Sequence, residues 1–311
     1  MRAATLVDGR VVVRDRPDPV PGAGEVLVRV ASAGLNAADL LQRAGRYPPP
    51  PGAPPDVPGR EMAGEVVAVG AGAARFAVGE RVMAVVAGGA QAELCAVHER
   101  LAMPVPGSLP AEVAGAFPEA VTTAHDALFT QCRRAMGVRV LVTGAAGGVG
   151  TAAVQLAAAA GARVTASVRD PALRHPVAEL GATVVGPGLE GGPFDVVLEL
   201  VGGPNLAADL ALLAPGGRVA VIGVGAGARA EVDLRVLMDR RATVSGSTLR
   251  PRPLEAKADA ARRVEAQVLP LVDRGEVTVV VAASFALDDV AAAYERFATP
   301  GKLGKVVLVL A

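Results

Sequence analysis

The sequence predicts an α/β protein in two domains, a barrel-like β domain built from both ends of the chain and a doubly wound parallel-sheet domain between them. Three observations carry that prediction. A chain of 311 residues exceeds one ordinary core at roughly 150 residues per domain. Its first third is a series of short Val-rich segments broken by Gly and Pro, whereas its middle third alternates apolar strands with Ala-rich helices. Its C-terminal part regains strand character, so the expected division is 1–113, 114–253 and 254–311, with the last segment returning to the β domain.

Residues 10–14 (RVVVR), 25–30 (EVLVRV), 62–69 (MAGEVVAV) and 81–86 (RVMAVV) predict strands, separated by turn signals at 21–24 and 48–52. Residues 36–44 (NAADLLQRA) have a helical period, with Leu40 and Leu41 inward and Asp39 and Arg43 outward. Residues 111–132 read as a helical stretch interrupted by Pro118. Strands follow at 139–143, 163–168, 183–185, 195–200, 218–224 and 243–248, with helices at 151–160, 171–180 and 205–213. Continuous apolar strands alternating with helices imply a parallel sheet covered on both faces. Beyond it, 254–272 predicts one long charged helix, 277–281 a strand, 287–297 a helix and 305–310 a final strand.

Composition removes several classes of function. Lys and Arg number 31 and Asp and Glu 31, leaving no basic surplus for a nucleic-acid backbone. Hydrophobic residues make up 51%, yet no uninterrupted apolar run reaches the ~18 residues of a membrane span. Arg2 and Asp8 stand where a signal peptide would have its apolar centre, so a soluble cytoplasmic protein is expected. Cys95 and Cys132 lack CxxC spacing, and His98, His125 and His175 lack ligand spacing. No metal is expected. Aromatics are scarce, with no Trp, two Tyr and six Phe.

Residues 140–157 (VLVTGAAGGVGTAAVQLA) give a strand, a Gly-rich turn and a helix in the order a dinucleotide site requires. Gly144, Gly147, Gly148 and Gly150 permit a tight turn. A pyrophosphate could then approach Ala146, Gly147, Gly148 and Val149 at the positive end of the helix. At the end of the second strand, Ser167 and Arg169 suit a ribose 2′-phosphate, since a guanidinium complements that dianion. NADPH is therefore the expected cofactor. Arg174 is either a second cation for the phosphate or part of a solvated helix face. Asp170, if it faced the ribose instead, would reverse the preference. Val201, Gly223, Val224, Ser247, Thr248 and Leu249 fall at C-terminal strand ends, the edge where such sheets bind ligands.

The segments AGLNAADLLQRAGRYPPPPGA (33–53), VPGREMAGEVVAVG (57–70), GAAGGVGTAAVQLA (144–157), GSTLRPRPLEAK (246–257) and GKLGKVVLVL (301–310) resemble the medium-chain dehydrogenase/reductase superfamily. The likeness is to its zinc-independent quinone oxidoreductase branch and, within that, the tumour-suppressor-inducible subgroup. The resemblance spans essentially the whole chain. It implies a GroES-like β-barrel catalytic domain, an inserted Rossmann cofactor domain, a cofactor cleft between them and a homodimer. Zinc-dependent relatives carry Cys where this chain has Asn36, and Gly-His-Glu where it has Gly59-Arg60-Glu61. Both catalytic ligands are replaced, and the lobe with four structural cysteines is missing. The acidic helix that relatives place before the fourth strand is also absent, since 186–193 (GPGLEGGP) leads straight to Asp195.

Without a Lewis acid, a plain ketone or alcohol would be a poor acceptor. The expected reaction is hydride transfer from NADPH to a quinone or an α,β-unsaturated carbonyl. Tyr47 is the expected acceptor-side residue, able to stack on a planar ring and donate from its hydroxyl; the plainer alternative is a loop anchor beside prolines 48–51. The resemblance implies that Asn36 lies at the nicotinamide side, that Thr123 lies beside the nicotinamide ribose, and that Lys305 is a cofactor lysine. Asp39 would cap or orient. Alternatives are an enoyl or enone reductase of a biosynthetic pathway, a non-catalytic NADPH-binding sensor, and a zinc alcohol dehydrogenase should metal be found.

Overall fold

The structure, a computed structural model, describes residues 1–132 and 137–310. The chain forms two compact units: Met1–Glu119, Arg250–Gly275 and Val279–Ala311 make unit one, and Ala120–Leu249 with Glu276–Thr278 make unit two. The branch's fold, a GroES-like N-terminal domain with a Rossmann-like parallel sheet, is the fold observed.

In unit one the strands are β1 (Arg2–Val7), β2 (Arg10–Asp15), β3 (Glu25–Gly34), β4 (Glu61–Val69), β5 (Arg81–Val85), β6 (Leu94–His98) and β7 (Ala102–Pro104). Unit two contains β8 (Arg139–Val142), β9 (Arg163–Ser167), β10 (Thr183–Val185), β11 (Phe194–Glu199), β12 (Leu213–Val221) and β13 (Thr243–Gly246). Strands β14 (Val281–Ala286) and β15 (Lys305–Val309) return to unit one. There β1 and β2 form a hairpin, and a seven-stranded sheet runs β14-β15-β3-β4-β5-β7, with β6 also pairing with β3. Val26, Val28 and Val30 of β3 are buried while the residues between them are not, the two-residue period of a strand with one face on a core. Antiparallel pairing of β15 with β3 sets Val307 opposite Gly34. Lys305 is thereby brought to the residues that follow β3.

The helices are α1 (Ala37–Arg43), α2 (Ala111–Ala114), α3 (Pro118–His125), α4 (Gly148–Ala159), α5 (Arg174–Ala178), α6 (Gly203–Ala211), α7 (Leu234–Arg240), α8 (Leu254–Gln267), α9 (Leu269–Asp273) and α10 (Val290–Ala298). Unit two's sheet, β10-β9-β8-β11-β12-β13, is parallel throughout. Strand numbers rise outward in both directions from the β8–β11 junction. In such a sheet the ligand crevice lies outside the C-terminal strand ends at that junction. Val140, Leu141 and Val142 are fully buried, and α4 buries Ala152, Ala153, Val154, Leu156 and Ala157. Small alanines let α4 lie close to the sheet, and a Cβ on Gly150 would stand 2.6 Å from the Ala145 Cα. No helix among the described residues is long and apolar enough to cross a membrane.

Several expected elements are redrawn. The helical stretch is interrupted ahead of Pro118, as expected, and Pro118 itself opens α3, because a first-turn proline has no amide that the helix needs. The helix expected over 254–272 divides into α8 and α9; Pro270 cannot donate the internal hydrogen bond that a continuous helix requires. The strand expected at 277–281 begins instead at Val281, and Gln155 holds Thr278 through three hydrogen bonds of 2.8–3.2 Å. Strands β1, β6 and β7 and helix α7 went unpredicted. No helix occupies 186–193, as expected.

Candidate active site and nucleotide-binding edge

In unit one the central group is the Glu61 carboxylate, fully buried at the start of β4. Its Oε1 forms an ion pair with the Lys305 ammonium at 2.6 Å and accepts the Asn36 side-chain amide at 2.9 Å. Oε2 accepts the Glu119 backbone N–H at 2.8 Å. Lys305 also donates to the Leu35 carbonyl at 2.8 Å and to Asn36 Oδ1 at 2.7 Å. All three ammonium hydrogens therefore have protein acceptors, and the Asn36 side chain is engaged at both ends. Gly34 makes the arrangement sterically possible, since a Cβ there would collide with Glu61 Oε1.

Beside this node, Arg60 pairs with Glu119 at 3.1 Å, both largely buried. Burial works against the Arg60 charge, but Glu119 and the other acids more than offset it and raise its pKa. Burial outweighs Arg60's attraction at Glu119 and pushes that carboxyl up. Tyr47, half-buried, lies beside two cations, with Arg250 Cζ 4.6 Å and Arg60 Cζ 5.8 Å from its ring centroid. Cation–π contacts of this kind contribute roughly 0.5–2 kcal/mol each. Burial first, then repulsion from Arg60, lowers the Arg250 pKa.

Asp39 on α1 is buried rather than outward. Its Oδ2 accepts the Asn36 N–H at 2.8 Å, one half of a capping box, and the Gln91 amide at 3.4 Å. Gln91 in turn accepts the Tyr294 hydroxyl at 2.9 Å. Burial raises the Asp39 carboxyl to about 6.

In unit two, the segments after β8, β9, β11, β12 and β13 lie along one sheet edge. Ala146, Gly148 and Val149 are half-buried, and Gly147 is exposed at the N-terminus of α4. The first-turn amides of that twelve-residue helix have no acceptor within it. Ser167 donates to the Gly186 carbonyl at 3.2 Å, Arg169 is exposed, and Arg174 Nε donates to the Val168 carbonyl at 3.3 Å. Asp170 caps the turn at Pro171–Leu173, accepting the Ala172 N–H at 3.0 Å. At the end of β11, the buried Glu199 accepts the Val201 and Gly202 amides at 2.5 and 2.6 Å. Its carbonyl accepts the Gly223 N–H at 3.2 Å. Val224 is half exposed, Ser247 donates to Asp126 at 3.2 Å, Thr248 is exposed, Leu249 is buried and Thr123 is half-buried on α3.

Comparison with known proteins agrees with both units. Residues 22–133 match the alcohol dehydrogenase GroES-like domain family, and 148–266 match the zinc-binding dehydrogenase family. A quinone oxidoreductase from Rattus norvegicus is 32% identical over 306 residues, covering 94% of this chain and 91% of its own. The chain belongs to the quinone oxidoreductase branch of the medium-chain dehydrogenase/reductase superfamily. An acryloyl-coenzyme A reductase from Metallosphaera sedula is 30% identical over 331 residues, covering 95% of each chain. A mycobacterial protein solved in complex with NADPH superposes with a TM-score of 0.87 at 27% identity, covering 99% of this chain and 100% of its own. This branch member is thus an oxidoreductase with a nicotinamide-cofactor domain.

The zinc in the second family's description does not suit the residues here. Glu61 already serves Lys305, Asn36 and the Glu119 amide, and the neighbouring side chains are two cations, a carboxamide and the Glu119 carboxylate that Arg60 holds. A divalent ion would have to displace Lys305 and stand beside Arg60. A dinucleotide, by contrast, fits the unit-two edge through the glycine turn and the free first-turn amides of α4.

Sequence reasoning missed Glu61 as a hub, Glu119, Gln91, Arg250 and Glu199. Arg60 and Glu61 were visible only as replacements of zinc ligands, and Arg250 only as part of the GSTLRPRP segment. It also missed Asp209, buried on α6 and raised to about 8 by burial and by Glu199.

Asp39 yields a pH test. Because its folded value of about 6 lies above the 3.8 of an exposed aspartate, the stability it gives is full below pH ~4 and is lost as pH rises through ~6. Asp39→Asn cannot ionise, so it should gain about 2–3 kcal/mol relative to wild type between pH 4 and pH 8. Urea unfolding at both pH values checks this, and a constant difference between the proteins would contradict it.

Proposed function

We propose that the protein transfers hydride from NADPH to a quinone or an alkene conjugated to a carbonyl, without a metal. The observation that carries this reading is the unit-one site itself. Where a zinc enzyme would hold a metal, this chain has a self-neutralised Glu61–Lys305–Asn36 node and, beside it, an aromatic ring flanked by guanidinium groups. Such a site can position and polarise an acceptor that is electrophilic already. It has no strong Lewis acid for an unactivated carbonyl.

The cofactor, when bound, supplies two electrons and one proton as hydride, and the acceptor takes one further proton. A quinone thereby becomes a hydroquinone, and an enone becomes the saturated carbonyl with hydride on its β-carbon. Tyr47 offers a stacking face and a hydroxyl that can donate. Asn36 and Lys305 serve as positioning residues, since their polar hydrogens are committed within unit one. The glycine turn and the first turn of α4 hold the pyrophosphate. The edge residues Ser167, Arg169 and Arg174 take the 2′-phosphate. Asp170 is occupied in capping its own turn, which favours NADPH over NADH. The name of the Metallosphaera relative, acryloyl-coenzyme A reductase, supports the conjugated-alkene form of the same reaction.

Initial rates on matched quinone, enone and simple ketone panels test this reading. Nicotinamide oxidation should occur with quinones or enones, not with simple ketones, and should persist in EDTA. Tyr47→Ala should lower acceptor kcat/KM at least about tenfold, with Tyr47→Phe separating ring from hydroxyl. Loss of activity with EDTA, or acceptor kinetics unchanged in both Tyr47 variants, would overturn the assignment.

For the cofactor, Arg169→Ala should lower kcat/KM for NADPH about tenfold and leave NADH within about threefold. Equal losses with both cofactors would place the 2′-phosphate elsewhere.

A further inference from the structure

Three buried cations stand in the unit-one cluster, and two have acids. Lys305 pairs with Glu61 and Arg60 with Glu119. Arg250 is only 6% exposed, yet it has no carboxylate partner among the described residues. Its Nε donates to the Ala87 carbonyl at 3.1 Å and its Nη1 to the Tyr47 carbonyl at 3.4 Å. Its Nη2 is buried and makes no hydrogen bond of good geometry, and the nearest groups that support its charge are the Tyr47 side chain and the more distant Asp39 carboxylate. The remaining acid, Asp39, makes no ion pair with it and is engaged with Asn36 and Gln91.

A guanidinium withdrawn from water without an acid is costly, and an unused N–H in that position adds to the cost. Arg250 cannot relieve this by deprotonating, because arginine keeps its charge in proteins. Arg60 is a second cation against the same Tyr47 ring, and its Nε is also buried without a partner. Glu119 Oε2 and Asp39 Oδ1 in the same cluster also lack donors, but an anionic oxygen at the ring on which a planar acceptor would stack is the group that would answer both orphan guanidinium N–H groups.

We infer that Arg250 is the docking charge for an acceptor carrying a carboxylate, held at Nη2 while its conjugated system lies against Tyr47. Arg60 adds field at the same place but is neutralised by Glu119, so the recognition falls to Arg250. The inference rests on the acceptor assignment made above and narrows it from any quinone or enone to one bearing an acidic substituent. A planar carboxylate matches the guanidinium fork better than a neutral carbonyl does.

The test compares a neutral naphthoquinone with a naphthoquinone carrying one carboxylate, each with NADPH, in wild type and in Arg250→Gln. The ratio between the acceptors, taken between the proteins, cancels their intrinsic reactivities. Arg250→Gln should lower kcat/KM for the carboxylated quinone at least about tenfold more than for the neutral quinone, the extra loss falling chiefly on KM. Arg250→Lys should fall between, since it keeps the charge and loses the fork. Equal losses on both acceptors, or none, would overturn the inference, as would an equal loss of NADPH affinity, which would make a cofactor phosphate the counter-ion.

Calorimetric titration of the wild-type protein with naphthoate and naphthamide needs neither turnover nor a folded variant. Naphthoate should bind about tenfold more tightly, and equal affinities would count against the docking charge. Naphthoate preference without quinone turnover would sink the reaction proposed above and leave the anion site standing. Turnover of the neutral quinone without naphthoate preference would do the reverse.

Discussion

A carboxylate removed from water must find its full complement of donors and a counter-charge, and in unit one Glu61 is that group. It takes an ammonium, a side-chain amide and a backbone N–H. These come from segments that pack together only when β15 lies on β3 and β4 beside it. Breaking such a buried pair by removing one partner typically costs about 3–5 kcal/mol, a large part of the roughly 5–15 kcal/mol that holds a domain folded. The node therefore couples the return of the C-terminal segment to the geometry of the loop that carries Asn36 and, further on, Tyr47.

The same coupling meets the charge requirement of the buried acid from within the chain. A zinc site and an ion-paired node are two ways of satisfying a buried acid at one place. Here Lys305 supplies the positive charge from within the chain, and Arg60 with Glu119 forms a second neutral pair beside it. Of the buried cations among the described residues, Arg250 is left without an ion-paired acid, against the ring of Tyr47. In unit two the edge is organised by a different carboxylate. Glu199 caps the turn into α6, and burial together with the Glu199 charge pushes the carboxyl of a second acid, Asp209, up to about 8.

Much of the fold was legible because its signals are local. The Gly-rich turn after VLVT, the apolar strands of the parallel sheet and the two-residue period of β3 each read directly as structure. Short edge strands such as β7 and the isolated helix α7 carry no comparable pattern, and Pro270 divides a helix whose charge spacing looked continuous. Tyr47, Asn36 and Lys305 could be nominated one at a time from motifs. Their connection could not, since Asn36 and Lys305 stand 269 positions apart, and Tyr47 and Arg250 203. Sequence spacing says nothing about which buried cation meets which acid; sheet register does.

A double-mutant cycle on Glu61 and Lys305, followed by urea unfolding, measures the node most directly. Glu61→Gln and Lys305→Met should each destabilise the protein by about 3 kcal/mol or more, and the double variant should cost less than their sum by at least about 2 kcal/mol. Losses that add to within about 0.5 kcal/mol would show that the two charges act independently, and the account of unit one as a structure organised around Glu61 would be wrong.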